Sequence, residues 1–405
     1  MRALIRPGPA RGTVAAPPSK SMAHRLLIGA GLAGGTSVIH GVARSQDLLA
    51  TADCLEALGA KVEWQGSDVR VTGGDPRRAA PAKLGCRESG STLRFLLPLC
   101  LLSGREMRLT GSEKLLQRPL SVYEEICKRQ GIEYVRGDEA LRVKGRLCPG
   151  AYEVPGDVSS QFVSGLLLAL PLLEKDSAIR LLPPVESRPY IEMTMQALAG
   201  FGVETRWQDA ETIDVPGGAA YKAREAVVEG DHSNAAFFEA LNCLGGSVRV
   251  TGLNPNSLQG DRVCTEYFSR LQAGCPELDL ADCPDLAPVL FAVAAALHGA
   301  RFTGTRRLRF KESDRGAAMA EELQKFGVEL RLEENEITVC PGKLHAPEAP
   351  LNSHNDHRVA MALSLLCTIT GGTIEGAEAV RKSLPEYWDM LRSLGTEVEI
   401  YGMDQ

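Results

Sequence analysis

Cationic and amide side chains recur at two equivalent positions of a repeated pattern in this chain. One set lies on apolar, helix-length runs and comprises Lys20, Arg25, Arg94, Gln161 and Arg358. The other set lies in loops that follow short strand-like segments and comprises Arg118, Arg188, Lys311, Arg315 and Lys382. Independent surface charges have no reason to keep this register. Because lysine and the bidentate fork of arginine bind phosphate and carboxylate groups, the pattern predicts one shared cleft for ligands that carry several negative charges.

Six short polar clusters open directly into apolar runs. They are Ser19-Lys20-Ser21, Glu88-Ser89-Gly90-Ser91, Asp157-Val158-Ser159-Ser160-Gln161, Asp231-His232-Ser233-Asn234, Asp282-Cys283-Pro284-Asp285 and His354-Asn355-Asp356-His357. Each supplies a Ser, Asp or Asn that can cap the start of a helix. The N-terminus of a helix carries about half a positive charge and unpaired N–H donors, so it attracts anions. The clusters therefore add to the predicted anion site.

Most of these clusters are about seventy residues apart, which indicates an internal repeat. Each repeat is predicted to contain the capped helix, a short strand, a second helix that ends at a glycine, and one or two further strands. The glycines expected in a left-handed conformation at those ends are Gly59, Gly131, Gly202, Gly274, Gly327 and Gly395. Repeat four is predicted to be shortened. The segments Met1 to Ile5 and Gly12 to Ala15 are expected to complete the last repeat.

Six repeats divide into three and three, and the chain is expected to cross between the two groups near Pro17 and Glu229. The expected domains are a continuous one, 18–229, and a discontinuous one formed by 1–17 plus 230–405. The length of 405 residues and the hydrophobic content of 44% agree with two sizeable cores. The predicted fold class is α/β (α+β).

Composition and charge exclude several function classes. The net charge of −6 argues against a general nucleic-acid partner. The most apolar runs, 162–173 and 286–297, are too short to cross a bilayer, and residues 1–12 do not resemble a signal peptide. Eleven cysteines without a CxxC pair indicate reduced thiols. We therefore expect a cytoplasmic protein, a monomer with small-molecule substrates and no nucleic-acid or membrane partner.

Five motifs then identify a family by resemblance. They are Pro17-Pro18-Ser19-Lys20-Ser21-Met22-Ala23-His24-Arg25, Gln117-Arg118-Pro119-Leu120, Asp157-Val158-Ser159-Ser160-Gln161-Phe162, Lys311-Glu312-Ser313-Asp314-Arg315 and Asn355-Asp356-His357-Arg358-Val359-Ala360-Met361. In this order, and over essentially the whole chain, they resemble the EPSP synthase family of enolpyruvyl transferases. The resemblance implies a two-domain inside-out α/β barrel with three βαβαββ repeats in each domain and helix N-termini facing an interdomain cleft. It also implies that phosphoenolpyruvate is joined to shikimate 3-phosphate with release of phosphate, in aromatic amino acid (chorismate) biosynthesis.

The resemblance assigns substrate-binding residues by matching motif positions. Shikimate 3-phosphate falls to Lys20, Ser21, Arg25, Ser159, Ser160, Gln161, Ser187, Asp285 and Lys311. Phosphoenolpyruvate falls to Lys20, Gly90, Arg118, Gln161, Arg315, Arg358 and Lys382. No cofactor and no metal are implied.

Two carboxylates among these cations are the acid–base candidates. Asp285 would accept the proton of the substrate 5-hydroxyl, and Glu312 would exchange a proton with the methylene carbon of phosphoenolpyruvate, with Lys311 assisting. Addition would give a tetrahedral intermediate, and elimination of phosphate would give the enol ether.

Three features differ from the commonest family pattern or lie outside it. Many members have Asn-Ala-Gly-Thr where this chain has Glu88-Ser89-Gly90-Ser91, so anionic Glu88 is expected to point away from the substrates or to pair with an arginine. Arg307 replaces a frequent Asn, and that substrate contact is not carried over. His354 and His357 form an HxxH pair without an evident third ligand, so His357 is expected to support the cleft rather than to bind a metal.

Three other functions fit part of the pattern. A sister enolpyruvyl transferase that acts on UDP-N-acetylglucosamine would have Lys-Asn at Lys20-Ser21 and a reactive Cys at Glu113. An RNA-end-processing ligase of related architecture would need a nucleotide site and a basic track, which the acidic net charge disfavours. A catalytically inactive anion-binding protein is disfavoured because the catalytic candidates Asp285, Lys311 and Glu312 are all present.

Overall fold

The structure, a computed structural model, describes residues 1–402. The helices are α1 (Lys20–Leu32), α2 (Gln46–Ala57), α3 (Gly90–Cys100), α4 (Glu113–Gln117), α5 (Ser121–Arg129), α6 (Ser160–Ala169), α7 (Arg188–Gly200), α8 (His232–Ala240), α9 (Cys264–Ala273), α10 (Ala287–Ala296), α11 (Arg315–Gln324), α12 (His357–Thr370) and α13 (Tyr387–Ser393). Across these residues no helix has both the length and the apolar character needed to cross a membrane.

Short strands alternate with the helices, which confirms the predicted α/β class. The strands are β1 (Arg2–Ile5), β2 (Arg11–Ala15), β3 (Thr36–His40), β4 (Lys61–Gln65), β5 (Asp68–Thr72), β6 (Ala82–Gly85), β7 (Glu106–Thr110), β8 (Glu133–Arg136), β9 (Ala140–Lys144), β10 (Ala151–Pro155), β11 (Ser177–Leu182), β12 (Arg206–Trp207), β13 (Thr212–Val215), β14 (Glu225–Val227), β15 (Ser247–Thr251), β16 (Glu277–Asp279), β17 (Ala300–Thr303), β18 (Leu330–Leu332), β19 (Glu336–Val339), β20 (Leu351–Asn352), β21 (Gly372–Glu375) and β22 (Val398–Tyr401).

The strands form six small sheets that repeat one topology. Five sheets have four strands each, in the orders β14-β3-β5-β4, β6-β7-β9-β8, β10-β11-β13-β12, β16-β17-β19-β18 and β20-β21-β1-β22. In each of them the first pair is parallel and the other two pairs are antiparallel. The sixth sheet contains only β15 and β2, in parallel. Repeat four is therefore shortened, as predicted.

The expectation for the two N-terminal strands is half correct. β1 pairs with β21 and β22 and so completes the last repeat. β2 was expected there too, but it pairs with β15 of repeat four. The physical reason is that the short repeat leaves β15 with an open edge, and β2 covers it. On the other side of β15, the side-chain amide of Asn242 bonds both the carbonyl and the N–H of Val248, at 2.9 and 2.7 Å.

Contacts divide the chain into two units. Unit 2 runs from Lys20 to Val228, and unit 1 joins Met1–Ser19 to the chain from Glu229 onward. Within unit 1 the two connecting segments lie side by side, because Ser19 N donates to Glu229 O at 2.8 Å and Asp231 N donates to Pro17 O at 2.8 Å.

The capped helices form the centre of each unit. In unit 2, α3 packs on α6 and α6 packs on α7, while in unit 1 α10 packs on α12. All residues of α10 except Ala296 are buried. This agrees with its sequence, because a helix that is apolar on every face is enclosed by the core. Apolar helix bodies are thus held in the cores, and their polar N-terminal clusters carry the predicted site residues.

Four of the six predicted caps accept a hydrogen bond from the first helical turn through their side chains. These are Ser89, Ser159, Asp231 and Asp356. Helix α1 begins at Lys20, directly after Ser19. The cluster that ends at Asp285 differs, because it forms a 3-10 turn, Pro284–Leu286, and α10 follows without a side-chain cap. The carboxylate of Asp285 bonds to cations instead.

One of the six helix-end glycines was predicted wrongly. Gly59, Gly131, Gly202, Gly327 and Gly395 have positive φ, as expected. Gly274 has φ 162° and is extended. Only Cys275 and Pro276 separate Gly274 from β16, and Pro276 favours extended backbone at Cys275, so the chain runs into the strand without a left-handed turn.

Candidate active site

In unit 2 the start of α1 carries a partly buried ion pair. Lys20 Nζ lies 3.0 Å from Asp47 Oδ2 of α2, and only 14% of the lysine side chain is exposed. Lys20 was predicted to contact both substrates. Because its ammonium group already faces a carboxylate, an anionic ligand at this position would compete with Asp47.

Arg25 lies deeper, and its guanidinium joins α1 to α7. Its Nε donates to Thr194 Oγ1 at 2.8 Å, Nη1 donates to Ser21 O at 2.6 Å, and Nη2 donates to Tyr190 O at 2.8 Å. The residue is 2% exposed, and burial lowers the pKa of its guanidinium to about 10. In this structure most donors of Arg25 are used inside the unit. Its contact with shikimate 3-phosphate stays a prediction.

Arg94 connects the starts of α3 and α6. Its Nη1 donates to Gln161 Oε1 at 2.8 Å, and Gln161 Nε2 donates to Ser91 Oγ at 3.0 Å. Arg94 Nη2 also donates to Pro119 O at 3.2 Å. The amide of Gln161 is thereby oriented from both sides. The sequence placed Arg94 in the cationic register but gave it no role, and its role in orienting Gln161 depends on a contact 67 residues away.

Gly90 and Arg118, both predicted for phosphoenolpyruvate, lie next to each other. A methyl group added at Gly90 would meet Arg118 Nη1 at 2.7 Å. The absence of a side chain at Gly90 therefore leaves room for the guanidinium of Arg118 against the start of α3.

A buried chain of hydroxyl groups supports these helix starts from behind. His24 Nδ1 lies 2.8 Å from Thr51 Oγ1, which lies 2.7 Å from Thr92 Oγ1, and Thr92 Oγ1 lies 2.7 Å from Ser89 Oγ. Burial holds the pKa of His24 well below its ordinary value, and the charges of Lys20 and Arg25 lower it further. A neutral imidazole thus links α1, α2 and α3.

Backbone strain coincides with the predicted site. Among residues 1–402, the non-glycine residues with positive φ are Arg87, Ser187, His354 and Asn355. Arg87 precedes the Glu88 cluster, Ser187 is itself a predicted ligand, and the other two precede α12. Conformations of this kind persist where the surrounding structure enforces them, often at functional sites.

In unit 1 the carboxylate of Asp285 contacts three cations. Arg315 Nη1 lies at 2.7 Å, Lys311 Nζ at 3.2 Å and Arg358 Nη2 at 3.4 Å. Burial raises the pKa of Asp285, but the charges of Arg358, Lys311 and Arg315 outweigh burial and hold the pKa well below its usual range. The catalytic candidates Asp285 and Lys311 are therefore brought together, with Asp285 ionised.

Arg315 is the centre of this cluster. Its Nη2 lies 2.6 Å from Glu312 Oε2, and its Nε lies 2.9 Å from Asp356 Oδ2. The side chain is 1% exposed. Burial opposes its charge, yet Asp356, Glu312 and Asp285 together raise the pKa of Arg315. One guanidinium thus orients both predicted acid–base carboxylates.

Arg358 and Lys382 complete the cationic set of unit 1. Arg358 donates to the carbonyl of Asp285 at 3.2 Å and to Ser233 Oγ at 3.1 Å. Lys382 Nζ donates to Asn355 O at 2.6 Å. The predicted contributors Lys311, Glu312, Arg315, Arg358 and Lys382 are therefore all held by bonds to residues of the α10, α11 and α12 starts or their neighbouring loops.

The residues that differ from the common family pattern have defined positions. Glu88 is partly buried, two residues before α3 begins. Arg307 is 4% exposed and donates from Nη2 to Ala281 O at 2.5 Å, which ties it to the loop before Asp285. His354 Nε2 lies 3.1 Å from Glu322 Oε1, a contact that the sequence did not predict.

Comparisons with known proteins identify the family of this chain. A family model described as EPSP synthase (3-phosphoshikimate 1-carboxyvinyltransferase) matches residues 5–391. A protein named 3-phosphoshikimate 1-carboxyvinyltransferase from Clostridium kluyveri is 39% identical, over 98% of this chain and 97% of the relative. The protein of the same name from Clostridium novyi is 35% identical, over 98% of each. A structure of EPSP synthase from Acinetobacter baumannii shares the fold, with TM-score 0.78, 24% identity, and coverage of 98% of this chain and 100% of that one. The chain belongs to the EPSP synthase family.

Proposed function

We propose that this chain transfers the enolpyruvyl (carboxyvinyl) group of phosphoenolpyruvate to the 5-hydroxyl of shikimate 3-phosphate and releases phosphate, as a step of chorismate and aromatic amino acid biosynthesis. Family membership over residues 5–391 supports the reaction. The observation that carries it at the level of residues is the contact of Asp285 with Lys311, Arg315 and Arg358.

The charges of the substrates explain why so many cations are needed. Each substrate carries a carboxylate and a phosphate, and two like charges about 5 Å apart repel by roughly 3 kcal/mol at an effective dielectric constant near 20. Phosphoenolpyruvate is proposed to bind Lys20, Gly90, Arg118, Gln161, Arg315, Arg358 and Lys382. Shikimate 3-phosphate is proposed to bind Lys20, Ser21, Arg25, Ser159, Ser160, Gln161, Ser187, Asp285 and Lys311.

The domains are proposed as 18–229, and 1–17 with 230–405.

The proposed chemistry is an addition followed by an elimination. Asp285 accepts the proton of the 5-hydroxyl while the oxygen attacks C2 of phosphoenolpyruvate, and Glu312 delivers a proton to the methylene carbon, which becomes a methyl group. In the second step Glu312 takes back a proton from that methyl group, the C2–O bond to phosphate breaks to give the enol ether, and Asp285 passes its proton to the departing phosphate. Lys311, which contacts Asp285, stabilises negative charge during both steps.

An ionised Asp285 held by three cations is a weak proton acceptor. Anionic groups of phosphoenolpyruvate that bind Arg315 and Arg358 would compete with Asp285 for the same donors. The carboxylate would then lose part of its stabilisation and become more basic when the substrate is present. The unliganded contacts therefore favour a base that is activated by substrate binding.

Phosphate release tests this function directly. The protein is incubated with phosphoenolpyruvate and either shikimate 3-phosphate or UDP-N-acetylglucosamine, and inorganic phosphate is followed. Phosphate release is expected with shikimate 3-phosphate as the acceptor and not with UDP-N-acetylglucosamine. Release only with the nucleotide sugar would assign the sister reaction, and no release with either acceptor would refute the transferase.

The compartment and the oligomeric state are part of the same proposal. We propose a cytoplasmic monomer without a nucleic-acid or membrane partner. All eleven cysteines are free thiols, which agrees with a reducing compartment. Sedimentation measurements at micromolar concentration would reveal a dimer if the monomer proposal is wrong.

A further inference from the structure

The turn before α12 has an unusual backbone. His354 and Asn355 have φ of 52° and 55°, so two successive non-glycine residues are left-handed. His354 N donates to Asn352 Oδ1 at 2.7 Å, and Asn355 N donates to Ser353 Oγ at 3.2 Å. Asp356 N donates to Ser353 O at 2.9 Å. Local hydrogen bonds thus close the turn tightly.

This turn bonds all three unit 1 cations that are proposed for phosphoenolpyruvate, two through their side chains and Arg358 through its backbone N–H. The carbonyl of Asn355 accepts the 2.6 Å bond from Lys382, and Asp356 accepts the 2.9 Å bond from Arg315 Nε. Arg358 lies two residues further on, and its own N–H bonds Asp356 Oδ1 at 2.9 Å. A shift of the turn would therefore move all three cations together.

The side chain of His354 links the turn to helix α11. Its Nε2 lies 3.1 Å from Glu322 Oε1. Glu322 is fully buried, and its other oxygen accepts a 2.9 Å bond from the N–H of Asn352. Arg315 and Glu322 both lie on α11, seven positions apart, which places them on one face of the helix. Helix α11 therefore holds the turn at two points, Arg315–Asp356 and Glu322–His354.

A metal site is the competing explanation for this cluster. Ligand atoms of Glu321, Glu322 and His354 lie within 4.8 Å of one another. However, Lys325 Nζ lies 2.9 Å from both oxygens of Glu322, so an ammonium group already balances that carboxylate. Glu321 is on the exposed surface. These contacts favour a structural link over a bound cation.

We propose that His354 and Glu322 are positioning residues for phosphoenolpyruvate, which fix the left-handed turn and through it the placement of Arg315, Arg358 and Lys382. This inference rests on the proposed function. Neither residue touches substrate in this proposal. Their effect should therefore fall on phosphoenolpyruvate and leave shikimate 3-phosphate binding unchanged.

His354→Asn tests the proposal, because Asn tolerates the left-handed backbone but is too short to reach Glu322. The KM for phosphoenolpyruvate is expected to rise roughly tenfold or more, since small displacements of binding groups are costly, while the KM for shikimate 3-phosphate stays within about twofold. His354→Gln, whose amide nitrogen can replace Nε2, is expected to restore most of the phosphoenolpyruvate KM. The exposed His298→Asn is the matched control and should behave as wild type.

Several outcomes would overturn the proposal. They are an unchanged KM for phosphoenolpyruvate in folded His354→Asn, equal rises of both KM values, and no rescue by His354→Gln. If His354→Asn fails to fold, Glu322→Gln decides by the same KM ratio. If wild type is active and the variant leaves the ratio of the two KM values unchanged, only the positioning role is refuted. An inactive wild type refutes the proposed function, and the positioning role with it.

Discussion

The guanidinium of Arg315 donates a 2.7 Å hydrogen bond from Nη1 to Oδ1 of Asp285. Arg315, which is proposed to bind phosphoenolpyruvate, thus neutralises the proposed base Asp285 before the substrate binds. Replacing Asp285 by Asn should free Lys311, Arg315 and Arg358 for anions but remove the proton acceptor. We expect phosphoenolpyruvate to bind Asp285→Asn at least as tightly as wild type, while single-turnover rates fall by about 10²–10⁴-fold. Calorimetry and rapid quench measure the two effects, and a loss of binding with an unchanged rate would refute the assigned role.

Gly90→Ala should affect phosphoenolpyruvate selectively. The new methyl group would lie 2.7 Å from Arg118 Nη1, the mobile end of a long side chain, so Arg118 is expected to move and the fold to persist. The KM for phosphoenolpyruvate should rise about tenfold or more. Gly85→Ala is the control, because a methyl group there has no neighbour within 4 Å. Equal steady-state constants for Gly90→Ala and Gly85→Ala would argue against Arg118 as a ligand.

Acid should destabilise unit 1 through Asp356. Burial opposes its charge, but Arg315 outweighs burial and keeps the pKa of Asp356 below its usual value. A depressed pKa contributes stability above the unfolded-state value of about 3.9, and this contribution is lost as pH falls through the folded-state pKa. Urea unfolding between pH 3 and 6 should therefore show a steeper loss for wild type than for Asp356→Asn. At pH 6 the variant should be less stable by about 1.5–3 kcal/mol, because Arg315 loses a buried, charged hydrogen-bond acceptor while Asp285 and Glu312 still contact it.

His40 should have the opposite pH dependence in unit 2. Its Nδ1 lies 2.9 Å from Asp68 and its Nε2 lies 2.7 Å from Glu225, and these bonds raise the pKa of His40. A raised pKa contributes stability below the unfolded-state value of about 6.5, and the contribution is lost as pH rises through the folded-state pKa. Thermal unfolding at pH 6 and pH 9 should separate wild type from His40→Gln only at the lower pH. A constant difference at both values would contradict the ion pairs.

The sequence predicted the repeat well because its signals are local. Caps such as Ser89 and Asp356 depend on a few adjacent residues, and so do the positive-φ glycines. The pairing of β2 with β15 joins segments more than 230 residues apart and has no local signal. The same limit explains why Asp285 was grouped with the caps, since its partners lie on other elements.

The site shows a similar division. Residue types and order pointed to Lys311, Arg315 and Arg358. The internal bonds of Arg25, the contact between Arg94 and Gln161, and the bond between His354 and Glu322 were not predicted. Each of these joins two helices or a helix and a loop, so side-chain direction decides it, and a single sequence contains no direct record of that direction.

The side-by-side connection of Ser19 with Glu229 has a consequence for protein engineering. Residues 20–228 leave and rejoin unit 1 at neighbouring backbone positions. A short peptide could therefore bridge the two ends after excision of that segment, without stretching the remaining chain. Unit 2 is thus an insertion in the chain of unit 1, and each unit becomes accessible to separate expression.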